Sequence, residues 1–154
     1  MKKISLIGAG NIGTILAYNL SRKQIGPITM VDVVEGLAKG KCLDLSQSLP
    51  IENLNIKIEG TTDISAIKDS AVIIITAGIA RKPGMSRDDL IETNFSIMNE
   101  IGNAIKKFSP LSFVICVTNP LDAMVWSLRE ISGIKPNMIT GMAGILDSAR
   151  FRFF

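Results

Sequence analysis

The 154-residue sequence contains no histidine. That absence excludes a Ser-His-Asp nucleophilic triad, the common zinc sites and any histidine-borne acid/base step within this polypeptide. Cysteine is scarce: Cys42 and Cys116 stand far apart and in no metal-ligand spacing. They are expected as free thiols in a reducing cytosol, with Cys116 in an apolar run that suits a core, and no metal site is expected. No apolar run is long enough to span a membrane; the longest, Ala71 to Ala80, falls well short of the ~20 residues required. Met1-Lys2-Lys3 ahead of an apolar stretch has the outline of a secretory leader. However, Gly8, Gly10, Asn11 and Gly13 interrupt the stretch and no small-x-small cleavage site follows, so a cytoplasmic location is expected. Concentrated positive charge is missing too. Seventeen Lys and Arg against fourteen acidic residues leave a net +3, scattered mostly as singles and pairs, which does not suit a nucleic-acid-binding face.

What is present is an ordinary globular balance, 47% hydrophobic and 20% charged, enough for the core of one compact domain. Apolar bursts rich in β-branched residues alternate with segments of helical period. Strands are expected at Lys3 to Ile7, Ile28 to Val31, Ile56 to Glu59, Val72 to Thr76, Phe113 to Val117 and Met138 to Thr140. Ile12, Ile15, Leu16 and Leu20 recur at helical spacing; further helices are expected at Glu35 to Leu49, Arg87 to Phe108 and Leu121 to Ile131. A strand such as Val72 to Thr76 is apolar throughout, as expected when helices cover both faces of a sheet. The order argues for an α/β, doubly wound parallel sheet with right-handed crossovers, in which ligands collect at the carboxyl ends of the strands.

Gly8-Ala9-Gly10-Asn11-Ile12-Gly13 follows the first strand and opens a helix, the context in which G-x-G-x-x-G binds a dinucleotide. Gly8 permits the tight turn, Gly10 a close approach of backbone to pyrophosphate, and Gly13 close helix–strand packing. Asp32 ends the second strand, about twenty residues on, where a carboxylate accepts from ribose hydroxyls and repels a 2′-phosphate, favouring NAD over NADP. The alternative is an ordinary turn with an N-capping Asp. After the fourth strand comes Arg81-Lys82-Pro83-Gly84-Met85-Ser86-Arg87-Asp88-Asp89-Leu90. Two arginines on a loop at the ligand edge suit an anionic substrate, because guanidinium forks match carboxylates; a solvated basic loop is the alternative.

This loop, together with Gly8–Gly13, Asp32, Val117-Thr118-Asn119-Pro120 and Leu146-Asp147-Ser148-Ala149-Arg150, resembles NAD-dependent malate dehydrogenases of the lactate-dehydrogenase-like type across the whole chain. The resemblance implies a Rossmann NAD-binding fold over residues 1–145, with 146–154 opening a substrate domain that is missing. It implies NAD as cofactor, the malate–oxaloacetate interconversion of the tricarboxylic acid cycle, and pairing of subunits into a homo-oligomer. Arg81 would pair with the distal carboxylate of the dicarboxylate; lactate dehydrogenases usually carry Gln there, which disfavours other 2-hydroxy acids. Arg87 would polarise the reacting carbonyl, Asn119 contact cofactor and substrate, and Arg150 grip the substrate's C1 carboxylate. Ala9, Asn11, Ile12, Asn94, Val117 and Thr118 would line the cofactor. Asp147 would orient the catalytic histidine. Without the family, Asn94 reads as a polar residue on a helix surface, and Asp147 and Arg150 as an i,i+3 helix pair.

The chain departs from that family at its end. It stops at Phe154, before the position of the catalytic histidine, with Phe151, Phe153 and Phe154 expected to be exposed. The expectation is a malate dehydrogenase fragment that is inactive alone, since hydride transfer needs a proton donor or acceptor. The alternative is a non-catalytic NAD-binding remnant or module.

Overall fold

A computed structural model describes residues 1–80 and 84–154. Strands β1 (Ile4–Ile7), β2 (Ile28–Val31), β3 (Ile58–Thr61), β4 (Val72–Ile75), β5 (Phe113–Cys116) and β6 (Ile139–Gly141) form one sheet in the order β3-β2-β1-β4-β5-β6. Every pairing is parallel. Between and after the strands run α1 (Asn11–Arg22), α2 (Leu37–Ser48), α3 (Arg87–Phe108), α4 (Leu121–Ser132) and α5 (Gly144–Phe153). The doubly wound arrangement expected from the sequence is the one observed.

Alternation along the strands builds two cores. Ile7, Ile73, Ile75, Val114 and Cys116 face Met98 and Ile105 of α3 and Met124 and Leu128 of α4. Leu6, Ile28, Met30 and Ile74 face Ala17 of α1 and Ala38, Cys42 and Leu45 of α2. The inner strands β1, β2, β4 and β5 therefore bury both faces and lack a polar side, whereas the edge strands β3 and β6 leave Glu59 and Thr140 exposed.

The pairing register carries the most functional consequence. Ile7 pairs with Val31 on one side and Ile75 on the other; Val31 pairs with Thr61, Ile75 with Cys116, and Cys116 with Gly141. The six strands thus stop in one row, and the chain segments leaving them begin along a single edge. At the opposite edge four buried serines tie the strands' starts together. Ser5 and Ser70 hydroxyls lie 2.7 Å apart, Ser109 and Ser112 hydroxyls 2.6 Å apart, and the Ser109 hydroxyl accepts from the Ser70 N–H. Among the described residues no buried side-chain polar atom is left without a partner.

Three sequence expectations change. The buried stripe of α1 is Gly13, Ala17 and Ser21, whereas Ile12 and Ile15 are exposed; small residues let the helix axis lie close to β1 and β2. Strand β3 begins and ends two residues later than expected. Ile56 packs on the core without pairing, while Gly60 and Thr61 continue the ladder, with Gly60 against the α2 backbone where a Cβ would meet the Ala38 carbonyl. Helix α2 starts at Leu37 after Gly36 in the left-handed region, later than Glu35. Phe151, Phe153 and Phe154 are exposed as expected, and α5 has no buried residue.

Cys42 and Cys116 are both buried and free, and burial pushes each thiol up from 9.0 to about 11. The unfolded chain would release these protons first, so this contribution to stability is full below pH 9 and is lost as pH rises toward 11. A thiol reagent at pH 8 is expected to label neither cysteine rapidly in the folded chain and both in urea. Urea midpoints should fall across pH 9–11; a fast-reacting thiol in the native state would contradict the packing.

Candidate cofactor and substrate site

Between β1 and β4 the strand order reverses, and in an open parallel sheet the segments diverging there leave a crevice at the carboxyl edge. The motif residues reach that edge from several strands: Gly8–Gly10 from β1, Asp32 from β2, Thr76–Ile79 from β4 and Val117–Asn119 from β5. Parallel pairing, not sequence proximity, brings them to one rim.

The three motif glycines do different things. Gly8 has φ +108°, and a Cβ there would lie 2.6 Å from the Ala77 nitrogen and 2.7 Å from Thr76 Oγ1. Gly13 is buried, and a Cβ would run into the Gly8 carbonyl oxygen. Gly10 has an ordinary φ of −68° and nothing within 4 Å of a built Cβ, so neither backbone strain nor packing within the chain demands glycine there. Gly10 is also the N-cap of α1, with no side-chain cap and no acidic residue in the first turn. Among the described residues, no group accepts from the backbone N–H of Gly10, Asn11, Ile12 or Gly13. Open space facing unpaired donors at the positive end of a helix fits a phosphate group, and so the pyrophosphate of a dinucleotide.

Asp32 braces this turn. Its Oδ2 accepts from the Ala9 N–H at 2.6 Å and its Oδ1 from the Val34 N–H at 2.9 Å. The N-cap of α2 is Gly36, so the reading of Asp32 as an N-capping residue does not hold. Each carboxylate oxygen has a second acceptor direction, which leaves room for ribose hydroxyls. Across the same residue, Lys41 Nζ donates to the Ala9 carbonyl at 2.6 Å, a contact that sequence reasoning missed. No motif marks a lysine in the middle of α2; only the folded proximity of α2 to the glycine turn reveals it.

On the far side of the crevice, Asn94 of α3 is fully buried. Its Oδ1 accepts from the Ile79 N–H at 2.9 Å, and its Nδ2 donates to the Asn119 carbonyl at 2.7 Å and toward the Ile79 carbonyl at 3.3 Å. It is therefore no helix-surface residue; its amide joins the segment after β4 to the end of β5. Thr118 adds a second tie, donating from Oγ1 to the Ala77 carbonyl at 2.7 Å, and Val117 donates its N–H to the Ile75 carbonyl. Asn119 itself is exposed.

The expected substrate arginines are less fully placed. Arg81 lies outside the described residues, together with Lys82 and Pro83. Arg87 is the first residue of α3, a helix fixed by a reciprocal capping box. The Ser86 hydroxyl accepts from the Asp89 N–H, and the Asp89 carboxylate accepts from the Ser86 N–H, each at 3.0 Å. Those hydrogen bonds hold the Asp89 carboxyl below its usual range. Asp147 and Arg150 form an exposed i,i+3 ion pair at 3.2 Å on α5, the arrangement expected of them without any family.

The matching family model is that of the NAD-binding domain of lactate/malate dehydrogenase, and it covers residues 2–141. This chain belongs to that family. It is 53% identical over 153 residues to a malate dehydrogenase of Paramagnetospirillum magneticum, a match covering 99% of this chain and 48% of the relative. The apo structure of a malate dehydrogenase from Picrophilus torridus matches with a TM-score of 0.95 at 47% identity, over 99% of this chain and 49% of that one. A lactate dehydrogenase from Cryptosporidium parvum, solved with lactic acid and nicotinamide adenine dinucleotide, matches with a TM-score of 0.93 at 40% identity, over 99% of this chain and 48% of that one. The chain spans about half the length of these relatives.

Within this NAD-binding domain the glycines should separate by experiment. Gly10→Ala is expected to shift stability by only a few tenths of a kcal/mol, up to about 1, yet to weaken NADH or ADP binding by roughly tenfold or more by filling the phosphate cradle. Gly8→Ala, strained at positive φ and clashing with Ala77, is expected to cost about 1–3 kcal/mol in stability. Thermal melts beside calorimetric titrations check both; equal stability losses at the two positions would contradict the assignment.

Proposed function

We propose that this chain is the cofactor-holding half of an NAD-dependent malate dehydrogenase. The carrying observation is the open, donor-lined turn at Gly10 with Asp32 beside it, in a chain whose loop sequence holds Arg81 and Arg87. When bound, NAD supplies the site that accepts or gives up hydride. The chain's own residues bind and orient. The free N–H groups at the start of α1 take the pyrophosphate, and Asp32 takes the adenosine ribose and disfavours a 2′-phosphate there. Asn94 and Thr118 brace the two segments on which Asn119 and Ala77 are presented, so Asn94 serves the cofactor side through the backbone it holds.

For the substrate, the proposal assigns carboxylate pairing to Arg81 and Arg150 and charge stabilisation at the reacting carbonyl to Arg87. The Arg150–Asp147 pair would then open, Arg150 toward a carboxylate and Asp147 toward a histidine. This chain has no histidine, so it supplies no such proton carrier. An NAD-binding module without catalysis of its own is the reading this absence favours for the isolated polypeptide. Residues from 146 onward are proposed to open the substrate domain, in keeping with a family match that ends at residue 141 and an α5 with no buried side chain. A cytoplasmic setting and a homo-oligomer complete the proposal. Exposed Leu43 and Ile51 on and after α2 are in keeping with self-association, and among the described residues no helix is long and apolar enough to cross a membrane.

Titration of the isolated chain is expected to show NADH bound more tightly than NADPH, with no oxaloacetate-dependent NADH oxidation above background. Robust turnover, or a preference for NADPH, would refute the assignment. In an enzyme joining this chain to the histidine-bearing half of a relative, Arg81→Gln is expected to lower the preference for oxaloacetate over pyruvate. Loss of a charge-assisted hydrogen bond of roughly 1.5–3 kcal/mol corresponds to roughly 10- to 150-fold in the ratio of kcat/KM values.

A further inference from the structure

Lys41 occupies an unusual place for a lysine. It lies on α2 beside the buried face formed by Ala38, Cys42 and Leu45, half-buried, and its ammonium reaches the glycine turn to donate to the Ala9 carbonyl at 2.6 Å. Among the described residues no carboxylate lies within salt-bridge distance of it. Its charge is therefore held by a backbone dipole instead of an ion pair. Asp32, the carboxylate of the same turn, bonds to the other side of Ala9 through its N–H.

These two contacts clamp successive peptide planes. In a trans peptide the C=O and the following N–H point in opposite directions within one plane. Asp32 on the Ala9 N–H, with Thr76 Oγ1 3.2 Å from the Gly8 carbonyl, fixes the Gly8–Ala9 plane. Lys41 on the Ala9 carbonyl, aided by Thr14 Oγ1 at 3.3 Å, fixes the Ala9–Gly10 plane. The direction of the Gly10 N–H, the first unpaired donor of the cradle, is set by that second plane. The hydrogen bond also draws electron density toward the carbonyl oxygen, which polarises the attached N–H.

We propose that Lys41 is a positioning residue for the phosphate cradle: through the Ala9 carbonyl it aims the Gly10 N–H at a dinucleotide's pyrophosphate, and its unpaired charge adds to the positive potential there. This rests on the cofactor-site reading above. It separates the turn into an Asp32 side that recognises ribose and a Lys41 side that recognises phosphate.

Lys41→Met keeps the stem and removes the charged donor; Lys41→Arg restores a charged donor. Binding of ADP and of adenosine to the full chain, followed by amide resonances, separates the two sides. Lys41→Met is expected to weaken ADP binding roughly tenfold, the scale of one charge-assisted hydrogen bond, to leave adenosine within about twofold, and to shift the Gly10 amide resonance in the free protein. Lys41→Arg should recover most of the ADP affinity. Unchanged ADP binding in Lys41→Met, or equal losses for ADP and adenosine, would overturn the positioning role while leaving the cofactor site standing. Failure of the unmodified chain to bind ADP would instead overturn the cofactor reading, and this inference with it.

Discussion

The turn from β1 into α1 is held from three separate segments of the chain. Thr76 at the end of β4 reaches the Gly8 carbonyl, Asp32 at the end of β2 takes the Ala9 N–H, and Lys41 of α2 holds the Ala9 carbonyl. Gly13 then packs against Gly8 so closely that no side chain fits between them. Among the described residues the Gly8 carbonyl and both polar groups of Ala9 are engaged, while no group accepts from the N–H groups of the first helical turn. Unpaired donors at a helix start are ordinary when water covers them. Here they lie beside open space, since a Cβ built at Gly10 would meet nothing within 4 Å.

The parallel sheet makes that convergence possible. Because every strand runs the same way and the last residues pair in one row, from Thr61 through Val31, Ile7 and Ile75 to Cys116 and Gly141, residues distant in sequence arrive at a single rim. The buried serine cluster fastens the opposite edge, and Asn94 and Thr118 fasten the rim itself between β4 and β5. Polar side chains at both edges thus act on the backbone. A cofactor meets loops that are already braced, which reduces the ordering that binding must impose.

Against this, α5 is sparsely packed. Asp147 and Arg150 pair with one another on an exposed helix, and α5 packs no residue into a core. The family model of the NAD-binding domain matches residues 2–141, and the relatives are about twice as long as this chain. Among the described residues the core lies within residues 4–139.

The sequence alone determined the alternation of strands and helices, because uninterrupted apolar strands and a strand–glycine–helix motif leave few other architectures open. It also marked Gly8, Gly10 and Gly13, whose spacing is a property of local chain geometry, and Asp32 at the end of the next strand. Tertiary structure decided what depends on contacts between distant segments. It exposed Ile12 and Ile15 and buried Gly13 and Ala17, since helix-to-sheet distance, not hydropathy, selects the face of α1. It carried β3 through Gly60, where α2 passes too closely for a side chain. It turned Asn94 from a plausible surface residue into a buried brace, and it brought Lys41 to the Ala9 carbonyl. Local pattern encodes periodicity and turns, whereas the partner of a long polar side chain is set by which backbone group folding places within its reach.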